Sequence, residues 1–152
     1  MSEQFEVDVF KAKELASDAT AMAVAKAAGE LKHVAAAVKW NSTGINVRQG
    51  DRVDIWADPD YVNVWQVSPS VRCGPEGDSR WIGKPGYALP GRPEGCLVAR
   101  IGSYTFFIGR EGFINSPTAG ELMLSANDDL DGRYGRGYDD NSGAVAVRVS
   151  VR

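Results

Sequence analysis

Residues 144–151 read AVAVRVSV. Val145, Val147, Val149 and Val151 alternate with Ala144, Ala146, Arg148 and Ser150. Successive side chains of a strand point to opposite faces, so this pattern makes one valine face and one wetter face. A helix would scatter the same valines around its axis. The chain must therefore cover a strand on one side. Other short β-rich runs can do so, at 34–38, 44–48, 53–57, 62–67, 96–101, 104–108 and 121–126. Turn signals such as RQGD at 48–51 and GSY at 102–104 separate them. No helical segment alternates with these runs, which argues against a parallel α/β sheet. The expected fold is mainly β, an antiparallel β-sandwich.

The first 31 residues differ. DVFKAKELASDATAMAVAKAAGEL is rich in alanine and free of proline, and Asp8 is placed to cap it. Ala12, Leu15, Ala19, Met22, Ala23 and Ala27 recur at helical spacing. The chain is thus expected to divide into an N-terminal helical extension, 1–31, and a β domain, 32–152. A stripe of such small residues needs a surface to lie against. That surface is the chain's own domain or, alternatively, a second subunit, which would make a homo-oligomer.

Several function classes fall away. A net charge of −3 offers no electrostatic case for nucleic acid. No apolar run is long enough to cross a bilayer, so membrane insertion is not expected. The polar start MSEQFEVDVF does not read as a signal peptide, so synthesis in the cytosol is expected, with any export by a non-classical route. Cys73 and Cys96 are then expected as buried thiols, although an oxidising compartment would let them pair. Catalytic signatures are also missing. There is no Gly-x-Ser-x-Gly elbow, phosphate loop or His-Glu-x-x-His helix, and the single histidine, His33, opens a strand. Two cysteines and one histidine cannot close a zinc site by themselves. A non-enzyme is expected.

Two loops carry what chemistry there is. Residues 74–95, GPEGDSRWIGKPGYALPGRPEG, hold six glycines and four prolines around Trp81 and Tyr87. A loop of this length is often functional. Its two rings either form a binding surface or fold back as a small cluster. Residues 127–143, NDDLDGRYGRGYDDNSG, hold five aspartates and two asparagines. Such mutual repulsion is relieved by a cation, and hard oxygen donors in a flexible loop suit calcium. An EF-hand register started at Asn127 fits Asp129, Asp131 and Gly132, but places Tyr138 where a bidentate glutamate is needed. A cage closed by the two loop ends is the better reading: Asp128 leaves one strand, and Asp140 and Asn141 enter the next. The alternative is a solvated acidic loop paired with Arg133 and Arg136.

GELMLSANDD followed by YDDNSGAVAVRVSV resembles the C-terminal signature of the LecA-type (PA-I-like) galactophilic bacterial lectins. The resemblance continues through WNSTGINVRQGDRVDIWA, CGPEGD and GCLVARIG, in the same order, and covers roughly 34–152. It implies a galactose-binding-domain-like jelly-roll sandwich with one Ca2+ ion that coordinates two adjacent sugar hydroxyls. Carried over, it implies Asp128, Asp140 and Asn141 as side-chain ligands, with main-chain carbonyls from Tyr61 and Gly137. Sugar contacts would come from Asp128, Asp129 and Asp140, with Trp81 and Lys84 nearby. The galactose binders use a histidine and a glutamine after the GPxGD motif. SRWIGKPGY has neither, so the implied ligand is a galactoside or another glycan. The alternative function is a calcium-stabilised interaction or structural domain that binds no sugar.

Overall fold

The computed structural model describes residues 29–152. Twelve strands are described: β1 (Glu30–Ala35), β2 (Asn41–Val47), β3 (Arg52–Ala57), β4 (Val64–Ser68), β5 (Val71–Cys73), β6 (Asp78–Ile82), β7 (Pro93–Glu94), β8 (Leu97–Ile101), β9 (Tyr104–Phe107), β10 (Glu111–Asn115), β11 (Gly120–Ala126) and β12 (Ser142–Val151). One sheet has the order β10–β3–β12–β4–β5, with β1 also paired to β12. The second runs β2–β11–β8–β9, and β6 and β7 form a separate ribbon. Every strand pair is antiparallel. No helix among the described residues is long and apolar enough to cross a membrane.

The alternation in β12 works as its period requires. Val145, Val147 and Val149 are buried in the core with Val53 and Ile55 of one sheet and Leu97, Ile101, Leu122 and Leu124 of the other. Burying a side chain of this size stabilises by about 1.5–3 kcal/mol. The opposite face of β12 is not simply wet. Ala146 is buried there, its amide donates to Asn63 Oδ1, and Arg148 reaches Asp58. Asn41 ties the two sheets at one corner: it accepts from the Ala35 amide and donates to the Leu124 carbonyl.

Strand positions differ from the sequence reading where local pattern is a poor guide. The expected helix over 8–31 lies mostly outside the described residues, but Glu30 and Leu31 are strand, pairing with Val149 and Arg148. Val38 belongs to the turn after β1, and Val62 to an exposed segment before β4. The edge strand β10 went unforeseen, because EGFIN buries only Ile114 fully. The short β5 went unforeseen as well. The segment 74–95 contains the β6–β7 ribbon rather than being loop throughout. Cys73 and Cys96 are free thiols, half-buried and buried respectively. Burial above all pushes both up, to about 11 and about 12, so neither is a reactive thiolate.

Candidate functional site

The acidic loop leaves β11 in one sheet and enters β12 in the other, so it bridges the two layers at one end of the sandwich. Its path is held by Asn127, which is fully buried. The Asn127 side chain accepts from the Leu89 amide and donates to the carbonyls of Leu89, Arg92 and Pro93. The main chain continues the seam: Ala88 N–H donates to Asp128 O, and Leu130 N–H to Gly86 O. Ala88 and Leu89 lie with Cys96, Val98, Trp40 and Leu130 in a small apolar cluster. The two long loops therefore form one unit. On the far side, Tyr138 is anchored through its hydroxyl to Ala126 O and Ser125 Oγ. Gly137 has φ +59°, and a Cβ there would stand 2.7 Å from Asp129 O, so only glycine lets the chain pass this close.

Asp128 and Asp129 are each 3% exposed and Asn141 is 8% exposed, whereas Asp140 is half-buried. Each fully buried side chain uses one end for the protein. Asp128 Oδ1 accepts from the Asp129 amide at 2.7 Å, and Asp129 Oδ2 from the Tyr134 amide at 2.6 Å. Asn141 Nδ2 donates to Ala36 O at 2.9 Å. The remaining oxygens, Asp128 Oδ2, Asp129 Oδ1, Asp140 Oδ1 and Asn141 Oδ1, are buried and meet no donor. An acceptor buried in this way costs on the order of 1–3 kcal/mol, more when charged. Among the described residues no ion pair joins Asp128, Asp129 or Asp140 to an arginine or lysine. Arg133, one of the two expected partners, donates instead to Pro85 O.

Asp128, Asp129 and Asp140 line a cavity of about 280 Å³ with Glu94, Tyr87 and Gly137. Burial, reinforced by the charges of Glu94 and Asp140, pushes the Asp128 carboxyl up to about 7, against the pull of the Asp129 amide. Glu94 is also raised, by burial first, although the Tyr87 hydroxyl it accepts from opposes the shift. Glu94 is the site residue that sequence reasoning missed. It stands in a glycine- and proline-rich stretch over thirty positions from Asp128, and only the seam between the two loops brings it in. Tyr87 folds back and is buried, whereas Trp81 stays 48% exposed.

The other expected positions lie elsewhere. Trp81, Lys84 and Tyr61 do not line this cavity. Lys84 Nζ sits 4.8 Å from the centre of the Tyr134 ring. Tyr61 follows a turn in which its amide donates to Asp58 O, and its ring meets His33 edge-on at 5.6 Å. From the first sheet, Val67 and Ser68 of β4 and the following Pro69 line the cavity.

The donor set is all oxygen and carries negative charge, which suits a hard cation such as calcium rather than a thiophilic one. Among the described residues no group of three or more His, Cys, Asp or Glu side chains is gathered about one point. A hard cation here would need the Asn141 amide oxygen and main-chain carbonyls as well as carboxylates.

The fold is thus an antiparallel two-sheet sandwich with a polar cavity built largely from its loops. Among solved structures the chain is similar to one described as "EclA N-terminal domain; PllA-like lectin", at 25% identity with a TM-score of 0.57. The match covers 80% of this chain and 95% of that one. It supports a lectin-type relationship without singling out the LecA type. No protein-family model and no curated protein matches the chain.

Proposed function

We propose that the chain is a calcium-dependent carbohydrate-binding domain without catalytic activity. The observation that carries this reading is the set of four buried acceptor oxygens with no donor, on Asp128, Asp129, Asp140 and Asn141. Asp128, Asp140 and Asn141 would hold Ca2+ through side-chain oxygens, with carbonyls from Gly137 and from the 67–69 segment. When bound, the ion supplies positive charge and open positions for two vicinal sugar hydroxyls. The protein does the rest. Asp128 and Asp129 accept hydrogen bonds from those hydroxyls, and Glu94 stands on the cavity wall to accept another. Tyr87, donating to Glu94, holds that carboxylate in place. The similarity to a lectin domain supports the ligand class. A galactoside is the first candidate, and Glu94 and Tyr87 on the cavity wall would take part in the choice of sugar.

The test is a glycan array read in millimolar calcium and again with chelator. Binding to at least one glycan in calcium alone is the expected result. Binding that survives chelation would remove the ion from the mechanism. A silent array together with calcium-dependent melting would favour the interaction domain that binds no sugar.

A further inference from the structure

A second cavity, of about 470 Å³, lies on the other side of the acidic loop. Lys39, Asp131, Arg136, Tyr138 and Asp139 line it, and of these Lys39, Asp131 and Asp139 do not line the first cavity. Gly135 and Arg136 line both cavities. The segment around Gly135 is thus common to the two cavities. A Cβ at Gly135 would meet no heavy atom within 4 Å, and its φ is not left-handed.

We propose that the binding site continues over Gly135 into this second cavity, and that the natural ligand is an oligosaccharide whose next sugar unit is neutral and occupies it. The inference rests on the carbohydrate-binding reading and extends it. Sites for small molecules run to about 300–1,000 Å³. The first cavity is at the floor of that range and suits one ring beside an ion, whereas the second has room for another ring. The charges of the second cavity also point to the ligand. Two cations, Lys39 and Arg136, and two carboxylates, Asp131 and Asp139, line it. An acidic sugar would be drawn to one pair and repelled by the other. A neutral sugar suits both, because each hydroxyl donates one hydrogen bond and accepts others. Carboxylates take the donated bonds and the two cationic side chains supply the rest.

The experiment measures binding in calcium to an array that presents galactose, glucose, mannose, fucose and the N-acetylhexosamines. Each is shown alone and as the end of neutral and uronic-acid-containing di- and trisaccharides. Neutral oligosaccharides should bind about tenfold tighter than their own terminal sugar. Lys39→Ala should remove most of that gain while leaving single-sugar binding and calcium-dependent melting unchanged. Asp139→Ala, at a residue that lines the second cavity and not the first, should reduce the gain as well. Single sugars that bind as tightly as oligosaccharides would overturn the second subsite and leave the carbohydrate reading intact. A preference for the uronic-acid forms would overturn its neutral specificity. An array silent in calcium would overturn both readings together.

Discussion

Asp58 and Asp128 are equally buried, at 3% exposure each, yet the protein treats their carboxylates in opposite ways. Asp58 is closed. Its Oδ1 accepts from the Asp60 amide at 2.9 Å, and its Oδ2 accepts from Arg148 Nε at 2.9 Å. The amide first, and then Arg148, hold its carboxyl below the ordinary aspartate value. Asp128 is open. One oxygen takes a neighbouring amide, the other meets no donor, and burial pushes the group upward. The fold brings its own cation to the first acid from β12. Around the second it assembles more acids: Asp129, Asp140 and Glu94. A buried carboxylate left open beside others is a site for something from outside, whereas a closed one is architecture.

The largest expected effect separates the two regions directly. Calcium that binds only the folded state adds RT ln(1 + [L]/Kd), about 2.7 kcal/mol at a hundredfold excess over Kd. Melting should rise by roughly 10 °C when calcium replaces chelator, given the usual few degrees per kcal/mol for a domain of this size. Magnesium should raise it less, because that ion is smaller and holds its waters. Scanning calorimetry that finds the same melting temperature in both conditions would break the comparison, since the open acids would then need no cation.

Asp128→Asn sharpens it through sign. The substitution should lower calcium affinity at least tenfold by isothermal titration, about 1.4 kcal/mol or more. In chelator the same variant should melt no lower than the parent, because it removes charge from a crowded and buried group. Arg148→Met does the reverse at Asp58. It strands a carboxylate that depends on its partner, so melting should fall by the same few degrees with and without calcium. Equal calcium responses from the two variants would erase the distinction between open and closed acids.

The smallest effect is in acid. The folded-state value of Asp58 is depressed, so its contribution is complete above the unfolded value near 3.8. It is lost as pH falls through the lower folded value. In chelator, Asp58→Asn should lose less stability than the parent across that window. A variant whose acid limb, followed by circular dichroism, matches the parent's would show that the Arg148 pair adds nothing titratable.

How much of this could be read from the chain varies by element. The valine alternation of β12 led to the right strand and the right buried face, because period two is a local property of the backbone. The density of acids between β11 and β12 marked the loop that carries the orphan oxygens, because like charges in one short segment conflict whatever the fold. Asp128, Asp129, Asp140 and Gly137 do meet at one cavity, and Asn141 is buried next to Asp140 with an oxygen to spare. Tyr61, which the resemblance implied by its place after β3, is not among the residues that line that cavity.

What the sequence determined by itself, then, were strand periods, a two-layer β fold and the loop in which charge had to be answered. Only the tertiary structure decided that the ends of that loop belong to different sheets, and that Asn127 clamps it to the 83–95 segment and so brings Glu94 and Tyr87 to its acids. It alone paired Asp58 with Arg148 ninety residues away while leaving Asp128 open. The physical reason is that alternation and repulsion act between neighbours along the chain. Burial and the supply of a counter-charge depend on which distant segments are brought together.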